Sequence, residues 1–320
     1  ATLFALFALS VLLLSVVGYW LNWQAVHPAT GETIQTINLL SKDGLYKIIV
    51  EMVSNFTDFA PLGIVLVAMI GIGLAETSGL IGALIRILVL SSPKKILTFV
   101  IVFAGILSNL ASDIGYVLLI PLGGVIFHAM GRHPFVGMAA AFAGVSGGFS
   151  ANLVIGTIDP LLAGLSEEAA HILDPSYSVN PTANYYFMAA STFLIAFLGT
   201  WVTEKIVAPR FGDYKGSVES EAIEPLSPIE KKGLFWSMMV FLVWAILITI
   251  GLWSKDGILR GPNGGLLSSP VIKGIITFLL FIAGTMGIVY GVIVGRFKND
   301  ADVANDMADS LKTMASYIVL

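Results

Sequence analysis

Two carboxylates sit in small, polar tracts inside otherwise apolar sequence: Asp113 closes the tract Ser108 to Asp113, and Asp159 lies in the tract Ser146 to Pro160. A carboxylate in a bilayer costs at least a few kcal/mol, so such groups persist where they line a binding cavity or pathway. Oxygens from Ser108, Asn109, Ser112 and Asp113, with tip carbonyls, form a hard donor set that suits Na+. Asp159, Asn152 and Ser150 form a second set able to meet a substrate or couple its movement to a proton. A carboxylate taken out of water holds its proton more tightly, the property proton coupling needs.

Each residue also has a plainer reading. Asp159 precedes Pro160 and is in position to cap a helix, which is compatible with a role in coupling. Asp113 could cap the arm that starts at Ile114, with Ser112 assisting. Asn152 and Ser150 could donate to a substrate carboxylate or bond broken backbone. Gly144, Gly147, Gly148 and Gly156 read as packing and break positions without chemistry of their own. His27, His128, His133 and His171 read as solvated interfacial residues, and Glu204, Lys205 and the mixed charges from Arg210 to Lys232 as a solvated linker.

The elements that must position these groups are membrane helices. Apolar residues make up 56% of the chain and charged residues 12%, with a mean hydropathy of +0.88, which describes a polytopic membrane protein. Zero cysteines exclude disulfides, thiol catalysis and zinc thiolates, and four histidines give poor support for a metal centre. No cofactor is expected beyond a possible bound Na+, and no basic tract offers itself to nucleic acid. The chain opens on Ala1 already apolar and closes in a new apolar run at Leu320, so it is expected to be a fragment that lacks a short N-terminal segment and a large C-terminal part.

Full spans are expected at Thr2 to Trp23, Pro61 to about Gly79, Tyr185 to about Val202, Gly233 to Trp253 and Lys273 to Gly295. Tryptophans near their ends match the aromatic belt. Lys94, Lys95, Arg132, Lys205, Arg210, Lys215, Lys231 and Lys232 mark cytoplasmic connections, which places the N-terminus in the cytoplasm. Residues 133–204 hold no Lys or Arg, so the loop with Glu167, Glu168 and Asp174 is assigned outside. Gly31 to Phe59 is also assigned outside, its spacing suggesting an amphipathic surface helix. Lys255, Arg260 and Lys273 breach the charge rule.

Because Lys95 and Arg132 share a side, the stretch between them must cross an even number of times, yet it is too short for two full spans. A re-entrant hairpin resolves this, with arms Ile96 to Leu107 and Ile114 to Met130 and a tip at Ser108 to Asp113. Pro134 to Gly164 must cross once but is interrupted by glycines and Pro160, which predicts a broken helix offering free backbone groups to ions. Five crossings precede Lys273, so a second unit would begin there with inverted topology, continuing into an amphipathic Asp302 to Met314. The expected organisation is scaffold and surface helices over 1–95, a hairpin over 96–132, the broken helix and outer loop of a transport domain over 133–182, a helix and linker over 183–232, and an incomplete second repeat over 233–320.

Two runs now stand out: Ile106-Leu107-Ser108-Asn109-Leu110-Ala111-Ser112-Asp113-Ile114-Gly115-Tyr116 with Leu119-Ile120-Pro121, and Ser150-Ala151-Asn152-Leu153-Val154-Ile155-Gly156-Thr157-Ile158-Asp159-Pro160. They closely resemble the p-aminobenzoyl-glutamate transporter (AbgT) family, and the resemblance extends over the whole chain. Ser108-Asn109 with Leu119-Ile120-Pro121 also resembles the hairpin motif of sodium-coupled dicarboxylate transporters in the same wider superfamily. The resemblance implies an all-α, inverted-repeat secondary transporter of the bacterial inner membrane, homodimeric, moving a transport domain against a scaffold. It also implies p-aminobenzoyl-glutamate or sulfonamide antimetabolites as substrates and a cation gradient or proton-motive force as the drive. Asp159 matches the family's functional aspartate; its other functional positions, in the second half, have no counterpart here.

Two other functions fit parts of the sequence less well. Gly144 to Gly147 matches a short nucleophile motif of intramembrane serine proteases, but Ser146 has no histidine at its expected depth to serve as base. Re-entrant loops occur in channels too, although a broken helix beside a hairpin suits alternating access better than a symmetric filter.

Overall fold

The computed structural model describes all residues except 1, 59, 111–114, 157, 213, 215–224, 255–256, 262–263, 267–268, 313–314 and 316–320. The fold is helical, with one two-stranded hairpin among the described residues. Five helical stretches among them are long and apolar enough to cross a membrane, or six if one bent pair counts as a span.

Helix α1 (Thr2–Trp20) carries no charge and is exposed almost all round, the signature of a helix whose solvent is lipid. It leads into strands β1 (Gln24–Val26) and β2 (Thr33–Gln35), antiparallel with Ala25 opposite Ile34. The surface helix expected from Gly31 is thus confined to α2 (Lys42–Thr57), because residues 24–35 pair as strands. Ser41 sets its start by accepting from the Gly44 amide at 3.1 Å. An apolar face of Tyr46, Ile49, Val53 and Phe56 is exposed on α2.

Helix α3 (Ala60–Thr77) is followed by a short helix with no counterpart among the expected spans, α4 (Leu80–Leu90). Eleven residues are too few to span, so hydropathy length gave no signal for it. It is nonetheless part of the core through Leu80, Ile81, Ala83, Ile85 and Val89, and its Arg86 is paired with Glu230. A 110° bend separates it from the helical stretch that begins at Lys94.

The hairpin is present. Its first arm is α5 (Leu97–Ser108); its return arm is a π-helical turn, Gly115–Leu119, continued by α6 (Ile120–Ala129). Helix α7 (Pro134–Gly147) lies against both arms, parallel to α5 and antiparallel to α6. Small residues allow this. A Cβ on Gly105 would fall 2.9 Å from the Gly144 Cα, and one on Gly137 would fall 2.1 Å from the Gly123 carbonyl oxygen. Backbone-to-backbone contact of this kind gives dispersion and weak C–H···O contacts where no hydrophobic effect between lipid-bathed helices is available.

The expected broken helix is likewise found: α7 stops at Gly147, residues 148–157 are not helical where described, and α8 (Ile158–His171) resumes. Helix α8 runs seven residues past Gly164, so Glu167 and Glu168, expected in a loop, are helical, and Glu167 accepts from the Val179 amide at 2.7 Å.

Helix α9 (Tyr185–Val202) has the expected bounds and continues through a second π-helical turn, Thr203–Val207, into α10 (Ala208–Phe211). Here Glu204, read as a solvated linker residue, is engaged. Both its oxygens accept from Arg132 Nη2, at 2.8 and 2.9 Å, while Arg132 Nη1 donates to Thr98 at 3.2 Å and Thr98 is bonded to Glu204. The guanidinium also lies 4.3 Å from the Phe127 ring centre. His133 is engaged too: its Nδ1 accepts from the Phe135 amide and its ring meets Phe211 and Tyr214, so it caps α7.

Helix α11 (Pro228–Trp253) begins five residues earlier than hydropathy suggested, because Ser227 and Glu230 form a reciprocal capping box. The short α12 (Pro270–Lys273) precedes α13 (Ile275–Val294), and α14 (Asp300–Lys312) follows. Helix α13 runs parallel to α3, with Gly71 against Leu280 and Gly287 against Leu74, and antiparallel to α11, with Ser237 donating to the Met286 carbonyl and Trp244 to Thr285. Most packing falls within two groups, α3, α4, α11 and α13 in one and the hairpin, α7 and α9 in the other, which meet where α8 packs on α3 and α4 on α5; α14 also lies on α3.

Candidate functional site

The hairpin tip and the helix break meet. Asn109, the first residue after α5, donates through Nδ2 to the Val145 carbonyl in the last turn of α7 at 3.1 Å and to the Ile106 carbonyl at 3.2 Å. Helix ends leave carbonyls without partners, and a buried amide is an economical donor to them. Nδ2 is thus committed, and among the described residues no donor is bonded to the Asn109 oxygen.

The break supplies its own partners. Asn152, 6% exposed, accepts through Oδ1 from the amides of Leu153 at 2.8 Å and Val154 at 3.3 Å. Of the two readings open for Asn152, the backbone one therefore holds for its oxygen, while its amide nitrogen remains for other partners. Asp159 is in the first turn of α8, one residue past the helix start, and accepts the Gly156 amide through Oδ2 at 2.8 Å. It caps the break from inside the helix rather than as the N-cap residue, and the helix N-terminus favours its negative charge.

Asn109, Ser150, Asn152 and Asp159 line one small cavity of about 40 Å³, together with Gly156 and the apolar Phe149, Leu162 and Met188. That volume accommodates a few waters or an ion. Four of the seven candidate residues are thereby brought together from three elements. Ser108 is not among them. It is fully buried, its hydroxyl donates to the Gly105 carbonyl at 2.6 Å, and it packs so closely on Gly115 that a Cβ there would lie 2.1 Å from its oxygen. Its role in the described structure is to close the two arms of the hairpin. Ser112 and Asp113 lie outside the described residues.

The sequence reading missed Asn184, which completes the polar lining from the residue before α9, and Tyr185, whose hydroxyl donates to the Leu153 carbonyl at 3.1 Å. An asparagine beside tyrosines at a span's start reads as interfacial decoration, so only proximity reveals them. Tyr116 was missed as well; its hydroxyl lies 3.0 Å from Ser146 Oγ, joining the return arm's π-helical turn to α7. Within the described residues no group of three or more His, Cys, Asp or Glu is arranged to hold a metal ion.

The geometry has known counterparts. Residues 1–320 match the AbgT putative transporter family. A p-aminobenzoyl-glutamate transport protein of Escherichia coli is 36% identical over 297 residues, covering 92% of this chain and 58% of that protein, so the chain spans well under two thirds of that relative. Among solved structures, the YdaH transporter of Alcanivorax borkumensis superposes with a TM-score of 0.89 at 43% identity, covering 99% of this chain and 67% of its own. MtrF of Neisseria gonorrhoeae, from a class of antimetabolite efflux pumps, superposes with a TM-score of 0.90 at 48% identity, covering 99% and 66%.

Proposed function

The chain belongs to the AbgT putative transporter family, and from that premise we propose that it forms the ligand-binding part of a secondary carrier for p-aminobenzoyl-glutamate-like or sulfonamide antimetabolite compounds. The observation that carries the reading is the meeting of Asp159, Asn109 and Asn152 where a hairpin tip touches a broken helix. Interrupted helices offer backbone dipoles and free polar groups to ions and anionic substrates inside a membrane, and secondary carriers use them so. The substrate classes follow from the relatives, one a p-aminobenzoyl-glutamate transport protein and another an antimetabolite efflux pump.

In this proposal Asp159 couples substrate to a proton or to Na+, with the Asn109 oxygen as a second ligand. The hairpin, α7, α8 and α9 move as one transport domain against α3, α4, α11 and α13, with the contact of α8 on α3 as part of the surface along which they slide. Support for a common body comes from the Arg132, Glu204 and Thr98 cluster, which ties both hairpin arms to the end of α9. The positive charges Lys94, Lys95, Arg132 and Lys205 support a cytoplasmic position for that end of the domain, in a bacterial inner membrane and with the N-terminus on the same side. The exposed α1 and α2 are candidate contacts for a second copy in a homodimer.

A protease reading gains nothing from Ser146, whose oxygen neighbours a tyrosine hydroxyl and not a base. The test is flux of p-aminobenzoyl-glutamate and of a sulfonamide in proteoliposomes, with Na+ and proton gradients imposed separately. Gradient-driven flux by the wild type and none by Asp159→Ala is expected; flux that ignores both gradients, or that survives in Asp159→Ala, overturns the proposal.

A further inference from the structure

Three separate segments do the same thing at the edge of the site. Asn109 lines the polar cavity and its neighbour Leu110 lines a second, apolar cavity; Asn152 lines the first and Leu153, Val154 and Ile155 the second; Asn184 lines the first and Tyr185 the second. Residues 153–155 are therefore a thin divider, with Asn152 on one side and Gly156 returning to the polar side. The Tyr185 hydroxyl holds the divider through the Leu153 carbonyl at 3.1 Å. The far wall of the second cavity belongs to the other packed group, through Ala75 of α3, Leu84 of α4, Phe241 of α11 and Phe278 and Ala283 of α13.

The volumes differ by an order of magnitude. At about 40 Å³ the polar cavity admits no aromatic ring, whereas the apolar one measures about 470 Å³. Apolar cavities well under that size accept benzene, because a ring there gains dispersion contacts that water cannot supply. A ligand whose polar group reaches Asn109, Asn152 and Asp159 must place its body elsewhere, and in all three bordering segments the next residue lines the apolar side. Amide side chains beside Phe241, Phe278 and Tyr185 match a ligand that is itself an amide on a ring.

Resting on the carrier reading above, we infer that an aromatic amide binds astride residues 153–155, its amide and carboxylate end at the Asn109, Asn152 and Asp159 cavity and its ring in the apolar cavity against α13. The ring then touches both packed groups at once, so its size decides how closely they approach. Substrate selectivity is set by the α3 and α13 side chains as much as by the polar residues.

The test compares equilibrium binding of p-aminobenzoyl-glutamate with that of acetyl-glutamate, which keeps the amide and carboxylates but lacks the ring, on the full chain in nanodiscs. Ring burial is expected to favour the first ligand by at least about tenfold in the wild type. Ala283→Phe, which fills the apolar cavity, brings the ratio of the two Kd values towards one, and Phe278→Ala, which only removes contacts and keeps the fold if the larger side chain does not, lowers it several-fold. An unchanged ratio in a folded variant overturns the inference and leaves the cavity to a bilayer acyl chain. Failure of the carrier reading looks different: the wild type binds neither ligand, or Asp159→Ala binds both as the wild type does.

Discussion

Asn109 Nδ2 donates to the Val145 carbonyl at 3.1 Å, and this one bond joins the tip of the hairpin to the end of the helix that breaks beside it. The two residues are 36 positions apart. With the Asn109 amide on the α7 carbonyl, the tip stands beside the break, where Asn109 and Asp159 line one cavity.

Asn109→Asp keeps the size of the side chain and removes the donor. A buried carbonyl without its partner costs about 1 to 3 kcal/mol, so the variant is expected to melt several degrees lower in nanodiscs and to lose flux. Equal melting would show that the tip is held by other contacts.

Asp159→Asn separates charge from capping. An amide oxygen can still accept the Gly156 N–H that the carboxylate accepts at 2.8 Å, so the variant is expected to melt like the wild type and to lose gradient-driven flux. Full flux would assign Asp159 to capping alone.

The Arg132 and Glu204 pair is part exposed, at 32% and 39% of the side chains, which limits its worth. A coupling energy of about 1 kcal/mol is expected from a double-mutant cycle of Arg132→Ala and Glu204→Ala. Glu204→Gln, which keeps the bond to Thr98 but not the charge, should fall between. Additive losses would show that the cluster is decorative.

Glycines of the same helix should differ sharply. A Cβ on Gly144 would lie 2.2 Å from the Val102 carbonyl, so Gly144→Ala is expected to destabilise the hairpin strongly. At Gly147 the nearest atom is 4.0 Å away, on Ile195, so Gly147→Ala should be tolerated. Expression and thermal stability of the two variants decide it, and matching outcomes would refute the packing assignment.

Much of this was legible in the residues alone. Runs of apolar residues about as long as a bilayer is thick located the full spans, because lipid imposes that length on any helix that crosses it. Charge placement then made the stretch between Lys95 and Arg132 turn back on itself, and glycines with Pro160 marked the break. Both features are local in origin, since backbone without partners cannot stand in lipid and so advertises itself by composition.

Other features were decided by contact alone. Helix α4 is too short to register by length and is stabilised by burial against its neighbours. Glu204 looks like a linker charge until the return arm delivers Arg132 to it. Ser108 looks like a ligand until the closeness of Gly115 turns its hydroxyl to a helix carbonyl. Asn184 and Tyr185 enter the site because α9 begins beside the break, which no spacing along the chain encodes. The sequence by itself determined where the backbone must leave the helix and which polar residues lie there. Which of them share a cavity was decided by the tertiary structure, because that depends on how closely glycine faces let the hairpin, α7 and α9 approach.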